Sequence, residues 1–363
     1  MSGAREERAV TSRVFGYLSS GEAVTEFTLT NPGGMMVKVL DYGGIITEVH
    51  VPDRDGHLAN VVLGFDALSH YEQHDAYFGA IVGRCAGRIA NAAFSLDGVD
   101  VHLARNHGRH HLHGGVRGFD RAIWAADIDK TTRQLTLRYR SQDGEEGYPG
   151  TLDVQVTYAL SDDDELRVDY AATTDSRTVL NPTQHTYFNL SGDLGSKILD
   201  HRLRVDADEI LELGESCIPT GKRLPVAGSP FDFRHSKPIG QAIDEDDPQL
   251  AIGDGYDHYW VLSKVAHSET PAHAATLEDP QSGRRLEVFT TEPGVQIYTG
   301  NNLDGTPTGK ARQSYQRRTA ICLETQHPPD APNHSAFPST VLEPGEPFSS
   351  TTVFRFQAPS TTR

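Results

Sequence analysis

The sequence predicts an all-β fold, a large sandwich of antiparallel sheets, and three observations carry that prediction. Apolar residues recur with period two in many segments, Gly, Pro, Asn and Asp punctuate the intervals, and no stretch sustains the period of a long helix. Period two places alternate side chains on opposite faces, so that one face packs inward while the other meets polar surroundings. Many short strands punctuated in this way argue for stacked or closed sheets rather than alternating β and α units.

Taken in chain order, residues 37–40 and 45–51 read as strands of mixed Val, Ile and Leu. Phe94 and Leu96, then Asp97-Gly98, then Val99, Val101 and Leu103 read as a hairpin, because Asp-Gly suits the left-handed geometry of a two-residue turn. Residues 135–139 form the next candidate. The clearest alternation, Leu152, Val154, Val156, Tyr158 and Leu160, leads through the acidic turn SDDDE (161–165) into Leu166, Val168 and Tyr170, a second hairpin. Residues 286–290, 294–299 and 353–356 complete the set. The acidic run DEDD (244–247) beside Pro248 reads as a solvated loop, with a cation site as the weaker alternative. The Pro-rich stretch 327–338, directly after an apolar strand, reads as a long ordered connection near a site. With 363 residues the chain can bury a large core, and with neither a repeat nor a low-complexity linker the expectation is one domain over residues 1–363.

A formal charge of -17, from 50 acidic against 33 basic residues, opposes nucleic acid or an anionic membrane as partner and favours a neutral small molecule. The 3 cysteines, Cys85, Cys217 and Cys322, are far apart and form no C-x-x-C pair, which fits a reducing compartment. The first residues lack the apolar core of a secretory signal and no apolar run is long enough to span a membrane, so the expected setting is cytoplasmic.

Four groups of residues suggest chemistry. Glu324 follows Ala320-Ile321-Cys322-Leu323, so an acidic group ends or interrupts a buried strand, where desolvation tunes its pKa; a surface Glu at a strand end is the competing reading. His185 lies in NPTQHTYFNLSG, a polar stretch with strand character, where a histidine taken alone is more often a hydrogen-bonded core residue. His113 closes the cluster His107, His110, His111, His113; in an extended strand His111 and His113 would share a face and invite a metal, but the spacing is not specific and no further ligands are marked. Gly114 and Gly115 instead suggest a tight turn that carries His113 on a loop edge, while His110 and His111 are expected to be exposed. Asp257 lies between Tyr256 and Trp260, aromatic rings of the kind that cover the apolar face of a sugar; a turn aspartate after Gly255 is the alternative.

The segments HGGVRGFD (113–120), PTQHTYFNLSG (182–192), GVQIYTGNNLDG (294–305) and CLETQ (322–326) resemble, in wording and order, the aldose 1-epimerase (galactose mutarotase) family. DYGGIITEVHVPDRDG (41–56), NVVLGFD (60–66) and FGAIVGRCAGRIANAAF (78–94) extend the resemblance from near residue 37 to the C-terminus. It implies a supersandwich of the galactose mutarotase type and an enzyme that interconverts the anomers of free aldoses such as galactose and glucose. Glu324 would be the general base and His185 the general acid, with Arg88, His113, Asp257 and Gln296 binding the sugar. No cofactor and no metal would be needed, the partner would be a monosaccharide, and the chain would act as a monomer or homodimer. One departure stands out: Gly87 occupies a place where many members carry an asparagine that contacts the sugar. Two rival readings remain, a glycoside hydrolase using Asp257 and Glu324 as its carboxylate pair and a sugar-binding module without turnover. A hexose 6-phosphate substrate would need a basic clamp that the sequence does not mark.

Overall fold

The computed structural model describes residues 10–263 and 270–358. Nearly all regular structure is β, with two short α-helices among the described residues, Leu68–Gln73 and Pro248–Gly253. No helix among them is long and apolar enough to cross a membrane.

Three sheets dominate. A nine-stranded sheet runs in the order Ala125–Asp129, Gln134–Ser141, Leu152–Leu160, Glu165–Thr174, Phe348–Gln357, Arg285–Thr290, Ala272–Glu278, Arg202–Val205 and Lys237–Pro238. A six-stranded sheet runs in the order Tyr187–Phe188, Ile321–Gln326, Gly294–Tyr298, Asp257–Leu262, Ala207–Leu213 and Pro219–Pro225. Neighbours within both are antiparallel. A five-stranded N-terminal sheet, from Thr11–Tyr17 to Leu58–Asn60, packs into the same core through Phe27, Leu29, Val37, Val39 and Val49.

The core lies between the two larger sheets. Val156, Val168, Leu286, Val288 and Phe354 from the nine-stranded sheet share one apolar cluster with Trp260, Val295, Ile297, Ile321 and Leu323 from the six-stranded one. Phe188 stands 5.5 Å from Phe354, centroid to centroid, and the Thr325 and Thr352 hydroxyls meet at 2.6 Å across the gap. The predicted sandwich is therefore the observed one.

Both predicted hairpins are present. Leu152–Leu160 pairs with Glu165–Thr174 in unbroken register, and Leu96 pairs with Val99 across Asp97 (φ 55°) and Gly98 (φ 78°), both left-handed as the Asp-Gly turn requires. The last strand is longer than the apolar signal at 353–356 because Ser350 and Thr352, polar yet buried, find partners in Glu292 and in Thr290 and Thr325. The acidic run 244–247 is exposed except at Asp247, whose carboxylate caps the second helix by accepting from the Gln249 and Leu250 amides, while Asp244 pairs with Arg318.

Arg284 locks the N-terminal sheet to the sandwich. Its buried guanidinium donates to the carbonyls of Val51 (3.2 Å), Leu190 (3.1 Å), Ser191 (3.0 Å) and His57 (3.0 Å). Replacing it leaves these acceptors without their donor, so Arg284→Met is expected to lower the unfolding free energy by about 3 kcal/mol, read from a shifted urea midpoint at unchanged slope.

Candidate active site

Strand alternation builds the site. Because Val295, Ile297, Ile321, Leu323 and Trp260 point into the core, the residues between them, Gln296, Tyr298, Cys322, Glu324, Asp257 and Tyr259, must face the other way. Register then aligns them: Gln296 lies directly opposite Glu324, and Asp257 opposite Tyr298. This outer face floors a cleft of about 1640 Å³ whose lining includes Arg88, His113, His185, Asp257, Gln296 and Glu324. All six residues singled out from the sequence thus meet at one place.

Glu324 sits inside its strand, every residue of which is buried, so it interrupts an apolar strand instead of ending it. His185 closes the short strand Thr183–His185, paired with Ala80–Val82, and turns its ring onto the sheet. Its Nε2 stands 3.6 Å from Glu324 Oε1 and its Nδ1 3.5 Å from the Cys322 sulfur. At the far side of the cleft Gln296 Nε2 donates to Asp257 Oδ1 (2.8 Å), while Arg88 Nη2 approaches Asp257 Oδ2 at 3.5 Å. The Asp257 carboxylate is thereby fixed between a guanidinium and an amide, and Arg88 Nε and Glu324 Oε2, both buried, have no hydrogen-bond partner among the described residues.

Burial sets the electrostatics. Loss of water pushes the Glu324 carboxyl well above its usual range, and the nearby negative charge of Asp257 adds to this while Arg88 opposes it. The same desolvation lowers His185 to about 4 and His113 well below the ordinary histidine value. The empty pair therefore favours its uncharged form, a protonated carboxyl beside a neutral imidazole.

Several details differ from the expectations. His111 and His113 do not share a face, because the strand His111–Leu112 ends at once and His113 takes a left-handed backbone (φ 51°). His110 and His111 are buried, not exposed: His110 Nδ1 accepts from the Asn91 amide, and His111 bridges the Ala104 carbonyl and the Tyr148 hydroxyl. Tyr256 and Trp260 belong to the core with Phe231 and Phe233 and cannot cover a sugar. Asp257 opens a strand and is not a turn residue. Tyr77, which pattern reading missed, lines the cleft instead, with its ring 4.7 Å from that of His113 and 5.9 Å from that of His185. Its left-handed backbone (φ 55°), unusual for a bulky residue, leaves no mark in the sequence beyond the following Phe78-Gly79.

His113, His185 and Glu324 offer ligand-capable atoms within 4.8 Å of one another. The His113 ring, however, is committed: the Gly87 amide donates to its Nδ1 (3.2 Å), which leaves the proton of the neutral imidazole on Nε2. A metal would have to displace that amide or that proton, whereas a sugar oxygen would accept from Nε2 directly.

The sequence pattern of the family described as Aldose 1-epimerase matches residues 25–355. Galactose mutarotase of Homo sapiens is 44% identical over 350 residues, covering 96% of this chain and 98% of that protein. Aldose 1-epimerase of Escherichia coli (strain K12) is 37% identical over 341 residues, covering 93% and 96%. Among solved structures, galactose 1-epimerase from Lactobacillus acidophilus NCFM superposes with a TM-score of 0.83 at 30% identity, covering 96% of this chain and 99% of that one. An aldose epimerase homologue from C. elegans gives 0.84 at 30% identity, covering 92% and 98%.

The buried pair makes a stability prediction. A carboxyl whose folded value is raised contributes stability that is full below its unfolded value and is lost as pH rises toward the folded one. Glutamine does not titrate, so Glu324→Gln is expected to gain on the wild type from about pH 5 upward, by at most about 1.4 kcal/mol per pH unit. Thermal unfolding at pH 4.5 and pH 8 checks this: the variant's relative melting temperature should be higher at pH 8.

Proposed function

The chain belongs to the aldose 1-epimerase family and is a carbohydrate isomerase that interconverts the α and β anomers of free aldoses, and from that premise we propose that Glu324 and His185 move the protons. The observation that supports this most directly is their proximity: two buried titratable groups 3.6 Å apart on the floor of a cleft with room for a monosaccharide. Galactose and glucose are the substrates proposed.

In the sugar complex Glu324, as carboxylate, takes the proton from the anomeric hydroxyl. The C1–O5 bond breaks with its electrons on O5, and His185, as imidazolium, protonates O5. The products are an open-chain aldehyde, a protonated carboxyl and a neutral imidazole. Rotation about C1–C2 presents the other face of the aldehyde; His185 then takes the proton back from the attacking hydroxyl while Glu324 returns its own to O1. The ion pair forms when the Glu324 proton passes to His185, at a desolvation cost, and ring opening returns the pair to the neutral form that desolvation favours. His113, through Nε2–H, supports the ring-oxygen end, and Arg88, Asp257 and Gln296 hold the hydroxyls at the other.

The rivals have less support. A hydrolase pair would need Asp257 free to act on substrate, whereas Arg88 and Gln296 engage both its oxygens and a histidine faces Glu324. The relatives are named as enzymes, which disfavours a binding module. We further read the chain as one domain, since its main apolar cluster runs from Val10 to Phe356. The free thiols Cys85, Cys217 and Cys322 support a cytoplasmic setting, and a monomer or homodimer is proposed.

Polarimetry on fresh α-D-galactose and α-D-glucose tests the reading. Glu324→Gln and His185→Asn should each lower kcat by about 100-fold or more with sugar binding retained; near-normal turnover in either would remove that residue from the proton path. The wild-type profile of kcat/KM should have an acid limb near pH 4, where the pair takes a second proton, and an alkaline limb above the ordinary carboxylate range, where it loses its last. An acid limb near pH 6.5, the value of an unperturbed histidine, would contradict the burial argument.

A further inference from the structure

We infer that the turn at residues 143–147 is a positioning element for His113 and that the Glu146 carboxylate is the atom group through which it acts, a reading that rests on the substrate role proposed for His113. Loop residues are free to move unless something holds them, and His113 stands on a loop in a left-handed conformation. Three sets of bonds hold it. Gly87 binds it on both sides of one residue, its amide donating to His113 Nδ1 and its carbonyl accepting from the His113 amide (3.0 Å). Asn106 brackets it: Oδ1 accepts from the Leu112 amide (2.8 Å), and Nδ2 donates to the carbonyls of Leu112 (2.8 Å) and Gly115 (2.9 Å).

Glu146 supplies the third. Its Oε2 accepts from the Val116 amide (2.9 Å) and its Oε1 from the Arg117 amide (3.0 Å), a two-point grip by an anion on consecutive peptide N–H groups. The carboxylate lies so close to Gly115 that a side chain there would collide with it. Glu146 lines the cleft, and both of its carboxylate oxygens are taken up by the loop that carries His113.

The grip is itself anchored. Glu146 takes a left-handed backbone (φ 52°) between Gly144 (φ 81°) and Gly147 (φ 95°), and its carbonyl accepts from the Ala104 amide (2.8 Å). Next to it, the Glu145 carboxylate accepts from the Tyr139 and Ser141 hydroxyls (2.8 Å each). Buried Arg84 then donates to Ser141 Oγ (2.8 Å) and to the carbonyls of Gln142 (2.9 Å) and Pro149 (3.0 Å). Arg84 precedes Gly87 and Arg88 on the segment whose strand, Arg88–Ile89, pairs with His111–Leu112 just before His113. The turn thus ties the His113 loop to the segment that carries Arg84, Gly87 and Arg88, and a shift in either moves the His113 imidazole.

A double-mutant cycle tests this, with polarimetric kcat and KM on α-D-galactose for Glu146→Ala, His113→Gln and the pair. Glu146→Ala should lower kcat by about 10- to 100-fold, more than it raises KM, and should have less than about a twofold further effect once His113 is glutamine. An equal loss in both backgrounds, or no loss in the wild-type background, overturns the inference. Wild-type activity in His113→Gln alone would instead remove the substrate role of His113, a failure of the parent reading that the cycle separates from the first. Imidazole ¹⁵N shifts give a second readout: the Nε2–H tautomer of His113 should become mixed in Glu146→Ala and stay fixed if the role is only structural. Glu146→Gln, which keeps one acceptor oxygen and most of the volume, replaces Glu146→Ala in the cycle if the alanine variant does not fold.

Discussion

The dry interface between the two larger sheets is the constraint on which the rest of the structure depends. Each strand of the six-stranded sheet must give alternate residues to that interface, and what remains is a second face whose composition the core does not dictate. Because antiparallel register sets opposing residues side by side, a polar residue on that face is held to within the tolerance of the ladder itself. Gln296 beside Glu324 is such a pair. The floor inherits its rigidity from hydrophobic burial on its reverse side, and the short strands and loops around it need only deliver what the floor lacks: His185 and Arg88 from short strands and His113 from a loop.

That division of labour bears on the energetics. A buried carboxyl with an unpartnered oxygen is unfavourable for folding, and so is a histidine held neutral in an apolar setting. Both penalties fall on the pair proposed to move the protons. Their pH dependences also oppose each other: between about pH 4.5 and 6.5 the raised carboxyl loses stability with rising pH while the depressed imidazole regains it. Over that range the two dependences largely offset, so the pair adds little pH dependence to folding.

What the sequence reveals follows from the range of the interactions involved. Alternation is local, so the hairpin across residues 161–164 and the Asp97-Gly98 turn are legible, as is the all-β class. Glu324 is legible because an acid inside an apolar run is a local contradiction. The order and wording of motifs carried the rest of the site, including His185, which alone reads more readily as a core histidine. What stayed hidden depends on distant partners. His111 and His113 cannot be assigned faces without knowing that His113 leaves the extended region, and Tyr256 and Trp260 cannot be told from a sugar platform without knowing which face of their strand meets Phe231. The turn at 144–147 drew no reading from the sequence, because the amides that its acidic residue binds lie on another loop entirely.

Gly87 shows how the same residue reads differently from chain and from fold. From the sequence it is a missing side chain, one hydrogen bond fewer to the sugar. In the structure its backbone is left-handed (φ 72°), and a Cβ added there would fall 2.8 Å from the Cβ of Pro329, in the Pro-rich connection that follows the Glu324 strand. The proline occupies the space that a side chain would claim. What Gly87 provides instead is its amide, which determines where the proton of His113 resides. A side chain forced in at this position would press on Pro329 and pull that amide away, so any gain of a sugar contact would be set against the loss of the bond that fixes the His113 tautomer. The departure from the family pattern is therefore coupled to two neighbours, and restoring the asparagine alone would not restore the family's site.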